Sequence, residues 1–102
     1  MSGRIGKYIV SAPDTWEAVH TAVTETKSVS IAASNITGSL SEIEFKIVDG
    51  VLGSSTDIDY LKPKQNVESL GWLEITGVVL GVDEYIAVRS TVAGVVIRVH
   101  GH

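Results

Sequence analysis

Hydrophobic and polar residues alternate along much of the chain with a period of two, which is the pattern of a β-strand with one buried face. In residues 42–47 every second residue is apolar and the other three are charged. Residues 95–100 repeat the pattern, with Val95, Ile97 and Val99 on one side. Both segments are predicted to be strands that turn their apolar side inward and their charged side to water.

Shorter segments of the same kind raise the number of predicted strands to about eight. They are residues 8–10, 16–23, 29–33, 58–60, 72–75 and 85–89. The segment 16–23 could also begin a helix capped by Asp14 or Thr15, but its β-branched residues favour a strand.

Turn-forming residues separate the predicted strands. They include residues 62–66 and the pair Thr76-Gly77. The strongest turn signal is Ala93-Gly94, which predicts a hairpin between residues 85–90 and 95–100.

This pattern predicts an all-β fold, an antiparallel β-sandwich of jelly-roll or immunoglobulin-like type with about eight short strands; a small barrel is the alternative. The 102 residues, of which 44% are hydrophobic, suffice for one core and therefore for a single domain over residues 1–102. Residues 1–6 are glycine-rich and are predicted to form an N-terminal arm that becomes ordered on assembly.

Composition argues against several classes of partner. The net charge is −4, and lysine and arginine form no cluster that could neutralise several phosphates, so we expect no nucleic acid. The apolar runs are too short to cross a bilayer and the N-terminus lacks the apolar segment of a signal peptide, so we expect no membrane partner and a protein made in the cytoplasm. Without cysteine there is neither a disulfide nor a thiolate ligand.

Two short motifs could hold a metal ion. His100 and His102 are two residues apart and would lie on one side of a strand, and a trimer would bring six such imidazoles to one axis. A polar chain end is the favoured interpretation. Asp57 and Asp59 could suggest a calcium site or an acid/base pair, but a solvated strand face is favoured, because calcium requires six or more oxygen ligands. We therefore predict no metal and no cofactor.

Motifs for catalysis are missing from the sequence. No serine lies in a nucleophile-elbow motif, and Gly50–Gly53 is not followed by the Lys-Ser/Thr of a phosphate-binding loop. We predict that the protein is not an enzyme.

Four residues are candidates for an interface with another molecule. Trp16 and Trp72 are predicted to pack in the core or at an edge, but an exposed tryptophan would indicate a protein interface. Tyr85 and Arg98, on the last two predicted strands, complete the set.

Five segments are specific as a set through their order and spacing, although each is only a strand with its turn. They are Asp14–Glu17, Asp57–Tyr60, Leu73–Leu80, Asp83–Ser90 and Val95–Gly101. Together they resemble the small virion structural proteins of tailed bacteriophages over nearly the whole chain. The resemblance implies a non-enzymatic β-sandwich on the virus particle, often a symmetric oligomer, without catalytic residues.

The resemblance and the absence of catalytic motifs lead to one main functional hypothesis. The protein is predicted to bind and stabilise phage capsid subunits, as a decoration or cement protein, or neighbouring tail subunits. It would be a homo-oligomer, with a trimer favoured, located in the virion after assembly in the host cytoplasm. The alternative is a receptor- or carbohydrate-binding module at the tip of a tail fibre or head fibre, where Trp16, Trp72 or Tyr85 would stack on a sugar.

Overall fold

A computed structural model describes residues 3–20, 23–50 and 60–101 of the chain. Within these ranges there are eight strands and no helix. The strands are β1 (Gly3–Ile9), β2 (Glu17–Ala18), β3 (Lys27–Ser34), β4 (Ser41–Asp49), β5 (Tyr60–Val67), β6 (Trp72–Leu80), β7 (Glu84–Ser90) and β8 (Val96–Gly101). The predicted all-β fold is confirmed.

The strands form two four-stranded antiparallel sheets. Sheet A has the order β1-β8-β3-β6, and sheet B has the order β2-β7-β4-β5. Strand 1 therefore pairs with strand 8, 2 with 7, 3 with 6 and 4 with 5. This nested pairing is that of a jelly roll, in which a long antiparallel ribbon winds around the core. An immunoglobulin-like fold would place more pairs of consecutive strands side by side. Of the two predicted types, the structure has the jelly roll.

The core lies between the inner faces of the two sheets. One cross-strand row of sheet A shows how alternation fills it: Tyr8, Ile97, Ala33 and Leu73 are neighbours on β1, β8, β3 and β6, and all four pack in or against the core. Sheet B contributes a second set from β4, β5 and β7, namely Ile43, Phe45, Val67, Ile86 and Val88. The predicted inward positions of the last strand, Val95, Ile97 and Val99, are fully buried.

The predicted wet face of residues 42–47 is only partly wet. Glu44 and Lys46 are both buried, because the outer face of sheet B is covered by the segment that carries Trp16. Alternation correctly identified the inner residues Ile43 and Phe45, but it could not show that the other side of the strand is covered as well.

The predicted hairpin at Ala93-Gly94 is wrong, since β7 belongs to sheet B and β8 to sheet A. The connection crosses between the sheets. At its start the Thr91 N–H donates to the carbonyl of Glu42 in sheet B (3.1 Å), and at its end the Gly94 N–H donates to the carbonyl of Val10 (2.8 Å). Gly94 has a φ of 97°, a conformation that suits a crossing turn as well as a hairpin.

Two segments that were predicted to be turns lie inside strands. Residues 62–66 belong to β5, and Pro63 is tolerated there because β5 is an edge strand. Thr76 and Gly77 belong to β6, where the register with β3 shifts between Val78 and Ile75. Gly77 has a φ of 73°, so the turn signal marks a β-bulge and not the end of a strand.

The segment 16–23 is less regular than the predicted strand. Only Glu17–Ala18 forms β2, and Val19 and Val23 then donate single backbone hydrogen bonds to β7, to the carbonyls of Ile86 (2.9 Å) and Glu84 (3.0 Å). Residues 21 and 22 lie outside the described residues.

The N-terminal segment pairs with the last strand. Gly3 and Arg4 lie in β1 opposite Gly101 and His100 of β8. Residues 3–6 of the predicted arm are thus part of sheet A, and ordering on assembly stays a prediction.

Candidate interaction surfaces

Trp16 lies over charged side chains on the outer face of sheet B. The Lys46 Nζ atom is 4.5 Å from the centroid of the Trp16 ring, and the Arg89 Cζ atom is 5.2 Å from it. Both distances are within the range of cation–π contacts. Arg89 Nη2 also donates to Glu44 Oε1 at 2.7 Å. Trp16 is half-buried and serves here to cover a polar cluster of the protein itself.

A second polar cluster, formed by Tyr8, Ser11 and Glu17, holds the segment before Trp16 in place. Glu17 Oε1 accepts hydrogen bonds from the Tyr8 hydroxyl (2.5 Å), the Ser11 N–H (3.2 Å) and the Ser11 hydroxyl. The other oxygen, Oε2, is buried and has no hydrogen-bond partner among the described residues. Three donors on a single oxygen fix the position of the chain before β2.

These hydrogen bonds change the acidity of both partners. Burial acts to raise the pKa of the Glu17 carboxyl, but the hydrogen bonds from Ser11 and Tyr8 outweigh it and leave that pKa below its ordinary value. The hydrogen bond to Glu17 raises the pKa of the Tyr8 phenol above its ordinary value, and burial raises it further. The cluster is therefore most favourable with Glu17 ionised and Tyr8 protonated.

Tyr85, another predicted interface candidate, lies near the start of β7. The Tyr85 hydroxyl donates to the carbonyl of Gly50 at 2.9 Å, which ties the start of β7 to the end of β4. The Tyr85 side chain is half-buried.

Trp72 and Arg98 lie together on the outer face of sheet A. Trp72 belongs to a cross-strand row that runs from β1 to β6 through Ile9, Val96, Ser34 and Trp72. The two ends of this row are exposed, Ile9 by 55% and Trp72 by 71%. An apolar ring that stays in water on a strand is the feature for which the sequence predicts an interface.

Arg98 belongs to the next row of the same face. This row consists of Lys7, Arg98, Ala32 and Glu74 in the strand order β1-β8-β3-β6, and its three charged residues are exposed. The ion pairs Arg89–Glu44 and Lys27–Glu25 lie elsewhere in the molecule. Positive charge therefore lies on one half of the face and negative charge on the other.

One end of the sandwich carries exposed apolar side chains on two loops. These apical loops are residues 35–40, between β3 and β4, and residues 68–71, between β5 and β6. Leu70 is 81% exposed, Ile36 62% and Leu40 53%. Leu70 also has a φ of 64°, the left-handed conformation that leucine rarely adopts.

Asn35 joins the two apical loops from the inside. Its side chain is fully buried and donates to the carbonyls of Ser39 (2.8 Å) and Val67 (2.9 Å), while its Oδ1 accepts from the Thr37 N–H (3.1 Å) and hydroxyl (2.6 Å). The Asn35 backbone carbonyl also accepts the Leu70 N–H at 2.7 Å. The hydrogen bonds of Asn35 thus hold the loop segments that carry Ile36 and Leu70 next to each other.

The predicted metal candidates are not brought together with other ligands in the part of the chain that the structure describes. His100 lies half-buried on the outer face of sheet A, whereas His102, Asp57 and Asp59 lie outside the described residues. No group of three or more His, Asp or Glu side chains that could hold a metal occurs among the described residues. His20 Nε2 accepts the Ile86 N–H at 3.2 Å and so completes the pairing of β7.

Residues 3–20, 23–50 and 60–101 contain no helix of the length and hydrophobicity that a bilayer crossing requires.

Comparisons with known proteins give two distant likenesses in structure. No family model matches the chain, and no curated protein matches it in sequence. A 3,4-ketoisomerase from Helicobacter canadensis has a TM-score of 0.40 and 12% identity over 94% of this chain, which spans 58% of that chain. The coat protein of Tobacco streak virus has a TM-score of 0.47 and 13% identity over all of this chain and 84% of that one. Likenesses at this level assign no function. A function has to be inferred from the surfaces of the protein itself.

Sequence reasoning missed the apical loops, because Ile36 and Leu70 lie in segments with turn chemistry. The signal that could have found them is the presence of large apolar residues between turn formers, in Asn35-Ile36-Thr37-Gly38 and Ser69-Leu70-Gly71. Loops that are not needed for the core normally carry polar residues there.

Proposed function

We propose that this protein is a non-enzymatic structural component of a tailed-phage virion, which binds and stabilises capsid or tail subunits through its apical loops. The observation that carries the proposal is Leu70, which is 81% exposed at a φ of 64°. A large apolar side chain in water and a left-handed backbone at a residue with a Cβ are each unfavourable, the second by about 1 kcal/mol. Selection for stability would place Asn or Gly there, so a leucine fits a requirement for contact.

The apical loops are suited to binding because they are ordered before a partner arrives. Asn35 satisfies the polar groups of the loops internally, so docking requires little further loss of conformational entropy. Burying the exposed parts of Ile36, Leu40 and Leu70 would contribute about 1–2 kcal/mol each.

Two of the four edge strands, β5 and β6, disfavour the addition of a strand from another chain and so favour docking by loops and faces. β5, an edge strand of sheet B, contains Lys62, Pro63 and Lys64. Proline and lysine on an edge strand disfavour pairing with another chain. β6, an edge strand of sheet A, is interrupted by the bulge at Gly77.

Placement on a phage particle is supported by the order and spacing of five sequence segments, which resemble those of small virion proteins of tailed bacteriophages. The jelly roll is compatible with this role, and also with lectin-like roles, since one architecture serves both. A head decoration protein and a tail component would use the same type of contact.

The proposal is tested by adding the purified protein to phage particles that lack it. We expect saturable binding and a higher temperature of particle disruption. The double variant Ile36→Ser/Leu70→Asn should bind at least tenfold more weakly while keeping its own fold, because asparagine suits the left-handed conformation at position 70. Val82→Ser is the matched control, since Val82 is 54% exposed in the turn at the other end of β6.

Two outcomes would contradict the proposal. The first is that the wild-type protein neither binds nor stabilises the particles. The second is that the Ile36→Ser/Leu70→Asn variant binds as well as the Val82→Ser control, which would mean that the apical loops are not the contact.

A carbohydrate- or receptor-binding module is the second candidate, and Trp72 is the observation in its favour. An indole ring that is 71% exposed on a sheet face can stack on the apolar side of a sugar ring. Binding to a glycan array that is lost on Trp72→Ala and kept on Val82→Ser would support this function. Absence of glycan binding by the wild-type protein would eliminate it.

A further inference from the structure

We propose that the outer face of sheet A binds a second copy of this chain, in a face-to-face dimer whose two-fold axis runs parallel to the strands between β8 and β3. The proposal uses a different surface from the apical loops and does not depend on the proposed function. It rests on the pattern of charge, size and hydrophobicity across the strand order β1-β8-β3-β6.

The symmetry of such a dimer decides which residues meet. A two-fold axis in the plane between the two faces, parallel to the strands and in the middle of the sheet, places β1 opposite β6 of the other copy and β8 opposite β3. Each cross-strand row then faces the same row of the other copy in reverse order. The interface is isologous, so a face that complements its own reverse makes every contact twice.

The charged row is complementary in charge to the same row of the other copy, which faces it in reverse order. Read from β1 to β6 it is Lys7, Arg98, Ala32 and Glu74. In the dimer Lys7 lies opposite Glu74 of the other copy. Arg98 lies opposite Ala32 of the other copy, and the same Glu74 is on the next strand, about 4.8 Å to the side. Opposite charges therefore meet at both ends of the row and no like charges face each other.

The apolar row is complementary in the same sense. Its order is Ile9, Val96, Ser34 and Trp72, so the reversed copy brings Ile9 against Trp72 at both ends. These are the two most exposed side chains of the row, at 55% and 71%. The dimer would remove from water apolar surface that the monomer leaves uncovered.

Side-chain size also favours this arrangement. The outward residues of β3 are small, namely Ser28, Ser30, Ala32 and Ser34, whereas those of β8 are the larger Val96, Arg98 and His100. Because β8 faces β3 of the other copy, large side chains meet small ones along the whole axis. Such a fit permits two sheets to pack at about 10 Å.

The area is sufficient for a specific contact of moderate affinity. Four strands about 4.8 Å apart, with a length of about 25 Å, cover roughly 500 Å² on each copy. The pair therefore buries about 1,000 Å² in total, at the lower limit for a specific interface, and we expect a dissociation constant in the micromolar range.

The experiment is sedimentation equilibrium or light scattering of the purified chain and two charge-reversal variants, at about 100 µM protein and low salt. The wild type should have twice the chain mass of 10.8 kDa. Lys7→Glu/Arg98→Glu should be monomeric, because both charged contacts become repulsive. Glu74→Lys should be monomeric for the same reason. Mixed in equal amounts, the two variants should form a heterodimer, because each repulsion is then replaced by an attraction.

The mixing step separates an intermolecular contact from a general loss of stability. Asp49→Lys, an exposed charge reversal on sheet B, is the matched control and should stay dimeric. If a reversal variant does not fold, the neutral variants Glu74→Gln and Arg98→Gln replace it. Each should raise the dissociation constant of the dimer about threefold to tenfold. A monomeric wild type, a trimer that the reversals leave intact, or two variants that do not associate on mixing would overturn the proposal.

Discussion

Arg89 and Glu44 form a cross-strand ion pair of 2.7 Å between β7 and β4, on the outer face of sheet B beneath Trp16. Glu44 is buried and Arg89 is half-buried, so the pair is better shielded from solvent than a surface pair. It explains how a charged residue can be buried on the face that alternation assigns to water.

A double-mutant cycle with Glu44→Ala and Arg89→Ala should give a coupling energy of about 1–2 kcal/mol, because each single change leaves the other partner in a partly dry site. Urea unfolding measures the four stabilities. The matched control is the exposed pair Lys27–Glu25, at 3.3 Å, whose coupling should be about 0.5 kcal/mol or less. Equal coupling in both cycles would show that Trp16 does not shield the Glu44 pair.

Asn35→Ala should destabilise the protein by about 3 kcal/mol. It leaves the buried carbonyl of Val67 without its partner and removes the hydrogen bonds to the Ser39 carbonyl and from the Thr37 N–H. Chemical denaturation measures the loss, and Ser34→Ala, at the neighbouring half-buried position, should change stability by about 0.5 kcal/mol or less. A neutral Asn35→Ala variant would mean that the apical loops are held by other contacts.

The hydrogen bonds of Glu17 predict a pH dependence of stability. The pKa of Glu17 is lower in the folded protein than in the unfolded chain, so its stabilising contribution is complete above the unfolded value of about 4.3 and is lost as pH falls through the folded pKa. The difference in unfolding free energy between wild type and Glu17→Gln should therefore shrink below about pH 4. Urea unfolding between neutral and acid pH measures it.

The hydrogen bond of Tyr8 predicts a loss of stability at alkaline pH. Its pKa is raised in the folded protein, so its contribution is complete below the unfolded value of about 10 and is lost as pH rises beyond it. Tyr8→Phe should remove this alkaline loss, whereas Tyr85→Phe, which loses only a bond to a backbone carbonyl, should keep it. If Tyr8→Phe still loses stability at alkaline pH, Tyr8 is not the group responsible.

Gly77→Ala should cost about 1 kcal/mol. The φ of 73° at the β6 bulge is unfavourable for alanine, although a Cβ there would meet nothing within 4 Å. Gly38→Ala is the matched control, because Gly38 also has open space around it and is not among the glycines with positive φ. Thermal unfolding of the two variants distinguishes backbone strain from side-chain crowding; equal stability of both would mean that the bulge imposes no strain.

The sequence by itself determined the all-β fold and, in residues 42–47 and 95–100, the side of the strand that faces the core. The inward positions Phe45, Ile97 and Val99 were correct because every strand of a two-layer sandwich must bury one side, and that requirement is local and periodic. About eight strands and an all-β fold follow from the same alternation.

Only the tertiary structure decided how the strands are connected and which outer faces are covered. Ala93-Gly94 has the same turn chemistry in a hairpin and in a crossing between sheets, and the choice depends on long-range pairing of β8 with β1 and β3. Lys46 is buried beneath the ring of Trp16, which is distant from it in sequence, whereas Trp72 stays exposed. Periodicity describes the two sides of one strand, but coverage depends on which other segment reaches that side, and such contacts between distant segments leave no local pattern in the chain.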